Sequence, residues 1–470
     1  MEGSPFIPRA SILNRDRTVT NKVLLIIFSV LFAIWVPIVI YGTLSAWEIS
    51  HPYSPKTQVQ ALKHSTLRRT FFIVLGYSML AGSLSIALFV AMRYIPKFSY
   101  CVLFTFWMPV VYCTLAAVYK LSLQSVWVMI GSYLSCVFVF YLLHTEWLHL
   151  PEGILKESCN AVMFFPSAIG FSILINFTAL LVLVLTIVVV LLLKDLNTFL
   201  ALLIQLLDVV IGIWAMSVIL LLGLMSLSST YATWFWTANK NEIPNATVLR
   251  AFKLNSKYHL GTAAFGTTIV GPVYSFYLVL AQGISKFMDD YDKAYICFFI
   301  YNFFDAIALK FTFTGSIVKC AINGTNYQES ATRAINDLEE HPRRCLVVTK
   351  VFEYVLTFIG CILVLCLGLS IFAYVSIDFG DISSRGNIVL WAIVFGGMMF
   401  VLPMFWTISS AYYTILFCVI EDLEIHNGTQ ERPFVMSQKL HEAVNHNGPP
   451  ASFHSCMTCC GAINTDQRIE

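Results

Sequence analysis

Long apolar runs, separated by short polar connections, recur along almost the whole chain. A helix needs about 20 apolar residues to cross the hydrocarbon core of a membrane. Nine uncharged runs reach that length, and they cover residues 23–47, 70–92, 98–119, 121–143, 158–193, 209–239, 260–285, 354–377 and 386–420. A tenth run, 294–317, is weaker because Asp305 and Lys310 interrupt it. The pattern predicts nine transmembrane segments and indicates one more.

Each of these runs is predicted to be a helix. Inside lipid every backbone N–H and C=O must find a partner within the structure, and continuous apolar runs of this length do so as α-helices and not as barrel strands. The run 23–42 follows a basic tail and is long enough to span, so it is interpreted as the first helix and not as a cleaved signal peptide. The predicted fold class is all-α, a polytopic integral membrane protein.

Basic residues fall mainly into three segments, and this predicts how the helices are oriented. The segments contain Arg9, Arg15, Arg17 and Lys22; Lys240, Arg250, Lys253 and Lys257; and Lys319, Arg333, Arg343, Arg344 and Lys350. All three are expected in the cytosol, so an even number of crossings must separate the second from the third. The run 294–317 then spans together with 260–285, which gives about ten transmembrane helices with cytosolic N- and C-termini. One loop does not fit this topology, because it would be extracellular although it is basic. Its basic residues are Lys56, Lys63, Arg68 and Arg69.

The predicted topology divides the chain into a cytosolic N-terminal tail (1–22), a transmembrane domain (23–420) and a cytosolic C-terminal tail (421–470). Two connecting segments are predicted to be amphipathic helices at the membrane surface. Residues 151–167 begin at a proline, which suits a first helical turn. The second follows the segment AINGTNYQESA (321–331), which has an Asn-Gly turn and two overlapping capping-box spacings. Its apolar residues recur with helical periodicity: Ala331, Ala334, Ile335 and Leu338.

Composition agrees with a membrane protein and disfavours several other function classes. The chain is 58% hydrophobic and 12% charged, and its mean hydropathy of +0.74 is far above that of a soluble domain. A net charge of +2 gives no support for nucleic-acid binding. No dinucleotide fingerprint, phosphate-binding loop or nucleophile motif is found, so neither an enzymatic activity nor a cofactor is expected. His144, Glu146 and His149 do not share one helix face, which argues against a metal site.

Four short motifs occur in a fixed order along the second part of the chain. They are TWFWTANKNEIPNATVLRAF (233–252), YHLGTAAFG (258–266), AINGTNYQESA (321–331) and EDLEIHNGTQERPFVMSQKL (421–440). With these motifs the sequence resembles the choline transporter-like family, solute carrier family 44, over about residues 150 to 440. It departs from the family's usual pattern in a short first loop (43–69), which is more similar to the compact fungal and protist branch. It also has Gln328 in the motif AINGTNYQESA, at a position where the family usually has cysteine.

The resemblance implies a membrane transport function. It implies ten helices, cytosolic termini and, as for characterised members, uptake of choline with proton exchange. We therefore expect a secondary transporter in the plasma membrane, whose partners are a small quaternary ammonium substrate such as choline and the lipid bilayer. A non-transporting membrane scaffold or regulator with the same fold is the alternative. The oligomeric state is not predicted.

The sixth predicted helix is the first candidate to line a substrate site. A quaternary ammonium has no N–H to donate, so aromatic faces are needed to bind it. One face of the helix carries a stripe of polar and small residues: Gln205, Asp208, Gly212, Ala215, Ile219, Gly223 and Ser226. The stripe either approaches a neighbouring helix or lines a cavity. Asp208 is interpreted as a cation or proton site, or else as a carboxylate solvated near the outer headgroups. Trp214, which matches a tryptophan of the family, lies off this face by roughly a third of a turn.

The ninth and tenth predicted helices supply the remaining candidates. Glu353 opens the ninth helix, where the family has an acidic residue, and it either binds substrate or interacts favourably with the helix N-terminus. In the tenth helix Pro403 is expected to produce a kink, and Trp406, Tyr412 and Tyr413 follow it. That arrangement suits a moving gate and also ordinary packing. The predicted cavity is formed chiefly by the sixth, ninth and tenth helices.

Overall fold

The structure is a computed structural model that describes residues 17–50, 75–76, 79–87, 90, 93–94, 149–193, 199–270, 312–341, 345–346, 348–353, 355–356, 360, 384–426, 428–430 and 432–445. Regular structure in these residues is helical, with no strand, which confirms the all-α prediction. Within these described residues, four helices are long and apolar enough to cross a membrane: Lys22–Tyr41, Pro166–Leu191, Leu202–Trp236 and Val401–Ile425. They correspond to the first, fifth, sixth and tenth predicted helices. Several predicted segments lie outside the described residues. They are the runs 98–119 and 121–143, most of each of the runs 260–285, 294–317 and 354–377, the basic loop at 56–69 and residues 144–146.

Ten helices of the described part are labelled here in chain order. They are α1 (Lys22–Ser50), α2 (His149–Phe164), α3 (Pro166–Leu193), α4 (Phe199–Trp236), α5 (Thr247–Tyr258), α6 (Leu260–Phe265), α7 (312–323), α8 (Tyr327–Glu340), α9 (Ser384–Ile425) and α10 (Gln438–Asn445). A π-helical turn, Gly266–Val270, continues α6. A further helical stretch includes residues 348–353.

Helices α3 and α4 cross at two glycines of the predicted small-residue stripe. A Cβ atom on Gly212 would lie 2.1 Å from Oγ1 of Thr186, and one on Gly223 would lie 2.8 Å from the side chain of Ile175. Only glycine therefore allows this close approach. Because later residues of α4 meet earlier residues of α3, the two helices are antiparallel.

Helices α4 and α9 run in the same direction. Trp406 of α9 lies against Gly223 in the middle of α4. Further along both helices, Trp236 lies beside His426, with 6.3 Å between the ring centroids. The two helices therefore finish at the same end of the bundle, where a large buried cluster joins them to α2 and α10.

The three basic segments meet at this shared end of α4 and α9, which we call the basic end. Lys240 donates hydrogen bonds from Nζ to the carbonyls of Trp234 and Thr237, so its charge caps the C-terminus of α4. Burial lowers the pKa of Lys240 to about 8, although the negative charge of Glu157 opposes that shift. Ser229 of α4 donates to the carbonyl of Ala321 in α7, which brings the third basic segment to the same place.

Both predicted surface helices are present, with one correction to each description. Helix α2 covers His149–Phe164, so it begins two residues before Pro151 and ends earlier than predicted. Pro166 begins α3. Helix α8 starts at Tyr327, after the expected turn, but the capping-box prediction is wrong. The side chain of its N-cap residue, Asn326, makes no capping hydrogen bond, and Oγ1 of Thr325 pairs with Oγ of Ser330 at 2.7 Å instead.

The buried face of α8 also differs from the apolar stripe predicted for it. Its buried residues are Tyr327, Ser330, Ala334 and Asp337. Ile335, placed on the inner face by periodicity, is 42% exposed. Asp337 instead occupies the inner face, where its carboxylate pairs with the buried ammonium of Lys319.

Residues that follow α9 fold back onto the basic end of the bundle. The carboxylate of Asp422 accepts hydrogen bonds from the backbone N–H of Val435 at 3.1 Å and of Met436 at 2.9 Å. In α10, Leu440 is buried and lies against Gly153 of α2. The described residues of this segment thus pack against α9 and α2, and most of them belong to the motif at 421–440.

Candidate functional site

Asp208 is fully buried near the start of α4, and its carboxylate contacts the first helix. The indole Nε1–H of Trp35 donates to Oδ1 at 2.8 Å. The second oxygen, Oδ2, receives no hydrogen bond from any residue that the structure describes. A buried carboxylate in this situation is costly unless a cation, a proton or water completes its interactions. Complete burial disfavours the interpretation that Asp208 is solvated at the headgroups.

Helix α1 presents an aromatic face beside this carboxylate. Phe28, Phe32 and Trp35 recur at helical spacing, with 5.8 Å and 5.6 Å between the centroids of successive rings. Phe28 also meets Trp214 of α4 edge to face at 5.2 Å. None of the three α1 residues is predicted as a site residue from the sequence, although their spacing is a readable signal. Together with Asp208 they supply the aromatic faces and negative charge that an organic cation requires.

Trp214 contacts α1 through Phe28 and also makes a second contact that Asp208 does not share. Its indole Nε1–H donates to Oγ1 of Thr267 at 3.1 Å. Thr267 lies in the π-helical turn that follows α6. A π-turn opens the regular hydrogen-bond ladder of a helix, and such turns are frequent at functional positions.

The stripe on α4 serves mainly as a helix-packing surface. Gly212 and Gly223 allow α3 to approach, and Gln205 donates from Nε2 to the carbonyl of Val190 at 3.3 Å. Of the two interpretations left open by the sequence, close helix approach accounts for these positions.

Glu353 forms a second candidate site with a residue of α9. Tyr413 donates from Oη to Oε1 of Glu353 at 2.9 Å, and Lys350 donates from Nζ to Oε2 at 2.9 Å. Residues 348–352 are already helical, so Glu353 does not occupy a helix N-terminus. Its carboxylate is instead held by a phenol and an ammonium, while 18% of the side chain stays exposed.

Tyr412 and Tyr413 are placed together with an aromatic that the sequence does not single out. Phe352 stacks on Tyr412 with 3.7 Å between centroids and 2° between planes, and it meets Tyr413 edge to face at 6.0 Å. Stacked rings at van der Waals distance leave no space for a cation between them. In this conformation Tyr413 therefore holds Glu353 in place, and Tyr412 packs against Phe352.

The predicted site residues fall into two groups at different depths in the bundle. Asp208 lies about 22 Å along α4 from the level of Gly223, where Trp406 packs, at the usual helical rise. Tyr413 lies about 10 Å from Trp406 along α9, on the side away from Asp208. The carboxylates of Asp208 and Glu353 are thus roughly 30 Å apart along the helices, with Trp406 at a level between them.

A buried ion pair at the basic end belongs to neither group. Nζ of Lys319 lies 2.5 Å from Oδ2 of Asp337, and the two side chains are 5% and 3% exposed. Burial raises the pKa of Asp337 above its ordinary value, whereas the neighbouring ammonium of Lys319 lowers it. The pair joins α7 to α8 across the segment AINGTNYQESA (321–331), which lies between its two residues, and has a structural role there.

Comparisons with known proteins agree with the resemblance seen in the motifs. The model of the plasma-membrane choline transporter family matches residues 126–424. The chain is 30% identical over 251 residues to Choline transporter-like 2 of Drosophila melanogaster, in an alignment that covers 51% of this chain and 31% of that protein.

Two further relatives give similar matches. Choline transporter-like protein 5 of Macaca fascicularis is 28% identical over 246 residues, covering 48% of this chain and 33% of the relative. Choline transporter-like protein 4 of Danio rerio is 26% identical over 261 residues, covering 51% and 35%. The matched segments thus make up only 31% to 35% of these relatives' own lengths.

Proposed function

Because this chain belongs to the choline transporter family, we propose that it is a secondary transporter that moves choline or a related organic cation across the plasma membrane. The observation that carries the proposal is the buried carboxylate of Asp208 beside the aromatic face of α1. A quaternary ammonium bound there gains charge compensation from Oδ2 and cation–π contacts from the indole and phenyl rings. The basic end of the bundle then faces the cytosol.

We assign the substrate-binding residues to two stations. Asp208 and Trp214 belong to the outer station, whereas Glu353 and Tyr413 belong to the inner station, and Tyr412, whose ring is stacked on Phe352, supports them. Trp406 lies between the two levels, where a substrate must pass. A cation therefore exchanges one carboxylate for the other during transport, and alternating access opens one station at a time. Either carboxylate is also able to carry the proton of an exchange reaction.

Flux measurements test the proposal directly. Purified protein in liposomes is expected to show saturable uptake of radiolabelled choline above empty vesicles, and an opposing proton gradient is expected to accelerate that uptake. Tetramethylammonium should compete, since it has the same cationic head. Absence of saturable uptake of either cation under both gradient directions would refute the proposal and favour a membrane scaffold with the same fold.

The inner station has its own test in Tyr413→Phe. This change removes the hydroxyl that donates to Glu353 and keeps the ring, so the carboxylate loses one of its two described donors. A hydrogen bond to a charged group contributes about 1.5 kcal/mol or more, so KM should change by roughly tenfold while the amount of folded protein stays the same. Uptake kinetics measure the effect.

Tyr412→Phe is the matched control for that variant. Its hydroxyl donates to the carbonyl of Val348 at 3.1 Å, whereas that of Tyr413 donates to Glu353. We expect Tyr412→Phe to leave KM within about twofold of the wild type. Equal effects of the two variants would mean that the contact between Tyr413 and Glu353 has no special role in transport.

A further inference from the structure

Two sequence motifs meet at the basic end and are joined there by residues 17–21, which we call the strap. The strap directly precedes α1. Arg17 is 8% exposed and spans both motifs with its guanidinium: Nη2 donates to the carbonyl of Ala321 at 2.9 Å, and Nη1 lies 3.1 Å from Nε2 of His259. His259 belongs to YHLGTAAFG and Ala321 to AINGTNYQESA. One side chain therefore connects the start of α6 to the end of α7.

Thr20 makes the second attachment of the strap. Its backbone N–H and its hydroxyl both donate to the carbonyl of Tyr258, each at 3.0 Å. The same hydroxyl lies 3.2 Å from Nδ1 of His259 and 2.6 Å from Oγ1 of Thr262. Thr20 is 2% exposed, so these hydrogen bonds are shielded from water.

The strap explains why one position in each of the two motifs is a glycine. A Cβ atom on Gly261 would lie 2.6 Å from the carbonyl oxygens of both Thr20 and Asn21, so a larger residue would push the strap away. Gly324 has a positive φ of +72°, and its open side faces the side chain of Arg17. Asn21 itself has φ +50°, an unusual conformation that turns the chain sharply into α1.

The protonation state of His259 follows from its neighbours. Arg17 has only donors, so Nε2 of His259 must accept and the ring proton is assigned to Nδ1, facing Thr20. Burial and the positive charge of Arg17 lower the pKa of His259 to about 3. Cys320 is the other titratable group that faces this ring, with Sγ 3.6 Å from Nδ1, and burial raises its pKa to about 12. Both His259 and Cys320 are therefore neutral while the strap is attached.

Helix α1 connects the strap to the outer station. Trp35, which donates to Asp208, lies about 20 Å along α1 from the strap. In the apolar stretch of Lys22–Tyr41 only 17% of the residues are buried, compared with 83% in that of Val401–Ile425, so most side chains of α1 face away from the bundle. The strap itself has the sequence RTVTN and is attached mainly through hydrogen bonds. Such a segment separates from the body at lower cost than an apolar one.

We propose that the strap is the latch of the inner gate: its attachment to His259 and Ala321 holds the inner end of α1 closed, and its release lets α1 tilt and open the path to the cytosol. This inference rests on the proposed transport function, because it assigns a regulatory element to the same pathway. Arg17 is a positioning residue in this scheme and does not touch the substrate.

Chemical labelling of Cys320 tests the latch without any transport measurement. Cys320 is fully buried beside His259, and its thiol also donates to the carbonyl of Thr325 at 2.9 Å, so a maleimide reacts with it only after the strap has moved. The experiment uses the full chain with Cys320 as its only cysteine, in membranes whose cytosolic face is accessible. Arg17→Gln and Thr20→Val are each expected to accelerate labelling by about tenfold or more, since each removes buried hydrogen bonds of the closed state. Lys22→Gln, which removes an adjacent exposed charge, should label at the wild-type rate.

A second single-cysteine background separates gate opening from general loosening. Cys159 is equally buried in α2 and is not contacted by the strap in the described structure. Its labelling rate should not change in the Arg17 and Thr20 variants. Equal acceleration at Cys159, or wild-type labelling of Cys320 in both variants, would overturn the proposal. Arg17→Lys keeps the charge but is unable to reach both acceptors, so an intermediate labelling rate is expected even where Arg17→Gln fails to fold.

The same preparation distinguishes the latch from the transport function. Saturating choline should change the Cys320 labelling rate in the wild type by at least about threefold if substrate drives the gate, as a ligand shifts a two-state equilibrium. Faster labelling in the strap variants together with no effect of choline supports the latch and counts against choline as substrate. No effect in the variants together with a choline effect supports substrate binding and refutes the latch.

Discussion

Replacing Asp208 with asparagine is expected to reduce choline uptake, expressed as kcat/KM, by roughly a hundredfold. The variant removes the negative charge that faces a bound cation in a buried site, and loss of one partner of a buried charge pair costs about 3 kcal/mol or more. The amide oxygen can still accept the indole N–H of Trp35, so the contact between α1 and α4 is retained. Initial rates in liposomes, normalised to reconstituted protein, measure the change.

Folding of the Asp208→Asn variant provides the control. Because a neutral amide is easier to bury than a carboxylate, thermal stability in detergent should equal or exceed that of the wild type. Trp35→Phe, which removes the indole donor but keeps an aromatic ring, should have a smaller effect on uptake. Wild-type uptake by Asp208→Asn would show that this carboxylate has no part in transport and would favour a scaffold role.

Replacing Asp337 with asparagine is expected to cause the largest loss of stability among single changes at the basic end. The change removes the nearest counter-charge of the buried ammonium of Lys319, which keeps only the further carboxylate of Glu424 close to it, and breaking a buried pair in this way costs about 3 kcal/mol. A clear drop in the thermal unfolding midpoint in detergent is the expected measurement, together with lower expression. The double variant Lys319→Met/Asp337→Leu removes both charges and should recover most of the loss.

An exposed pair on the same helix gives the matched control for Asp337. Arg333 contacts Glu329 at 2.7 Å, but the two side chains are 47% and 50% exposed. Solvent screens this pair, so Glu329→Gln should change stability by no more than about 0.5 kcal/mol. If Asp337→Asn were as mild as Glu329→Gln, the buried pair would have to be regarded as hydrated and unimportant for folding.

Helix positions were predictable because membrane insertion acts on local sequence. Pro166 separates α2 from α3 as expected, and the apolar runs at 23–47 and 158–193 overlap almost completely with the spans Lys22–Tyr41 and Pro166–Leu191. Which face of a helix points into the bundle is harder to predict. Ile335 is exposed on α8 because Asp337 takes the inner face, and apolar periodicity carries no information about a partner on another helix.

The sequence indicates some residues of the candidate site, but not which of them lie together. Glu353 and Tyr413 are 60 positions apart in the sequence and meet only after α9 packs beside the stretch at 348–353. Trp35 was missed because tryptophan in a first transmembrane helix is usually an interface anchor, and only its contact with Asp208 gives it another role. Arg17 was interpreted as one charge of a basic tail, which is correct for topology but does not indicate its buried hydrogen bonds.

The return of residues 421–445 to the bundle has a consequence for biogenesis. Asp422 fixes the backbone at Val435 and Met436, and α10 covers α2, which the ribosome has made almost 300 residues earlier. The surface of α2 that α10 covers therefore stays exposed until α9 has left the translocon and α10 has been synthesised. Membrane insertion of the earlier helices is thus complete before this part of the tertiary structure can form, so quality control has a period in which to recognise unfinished chains.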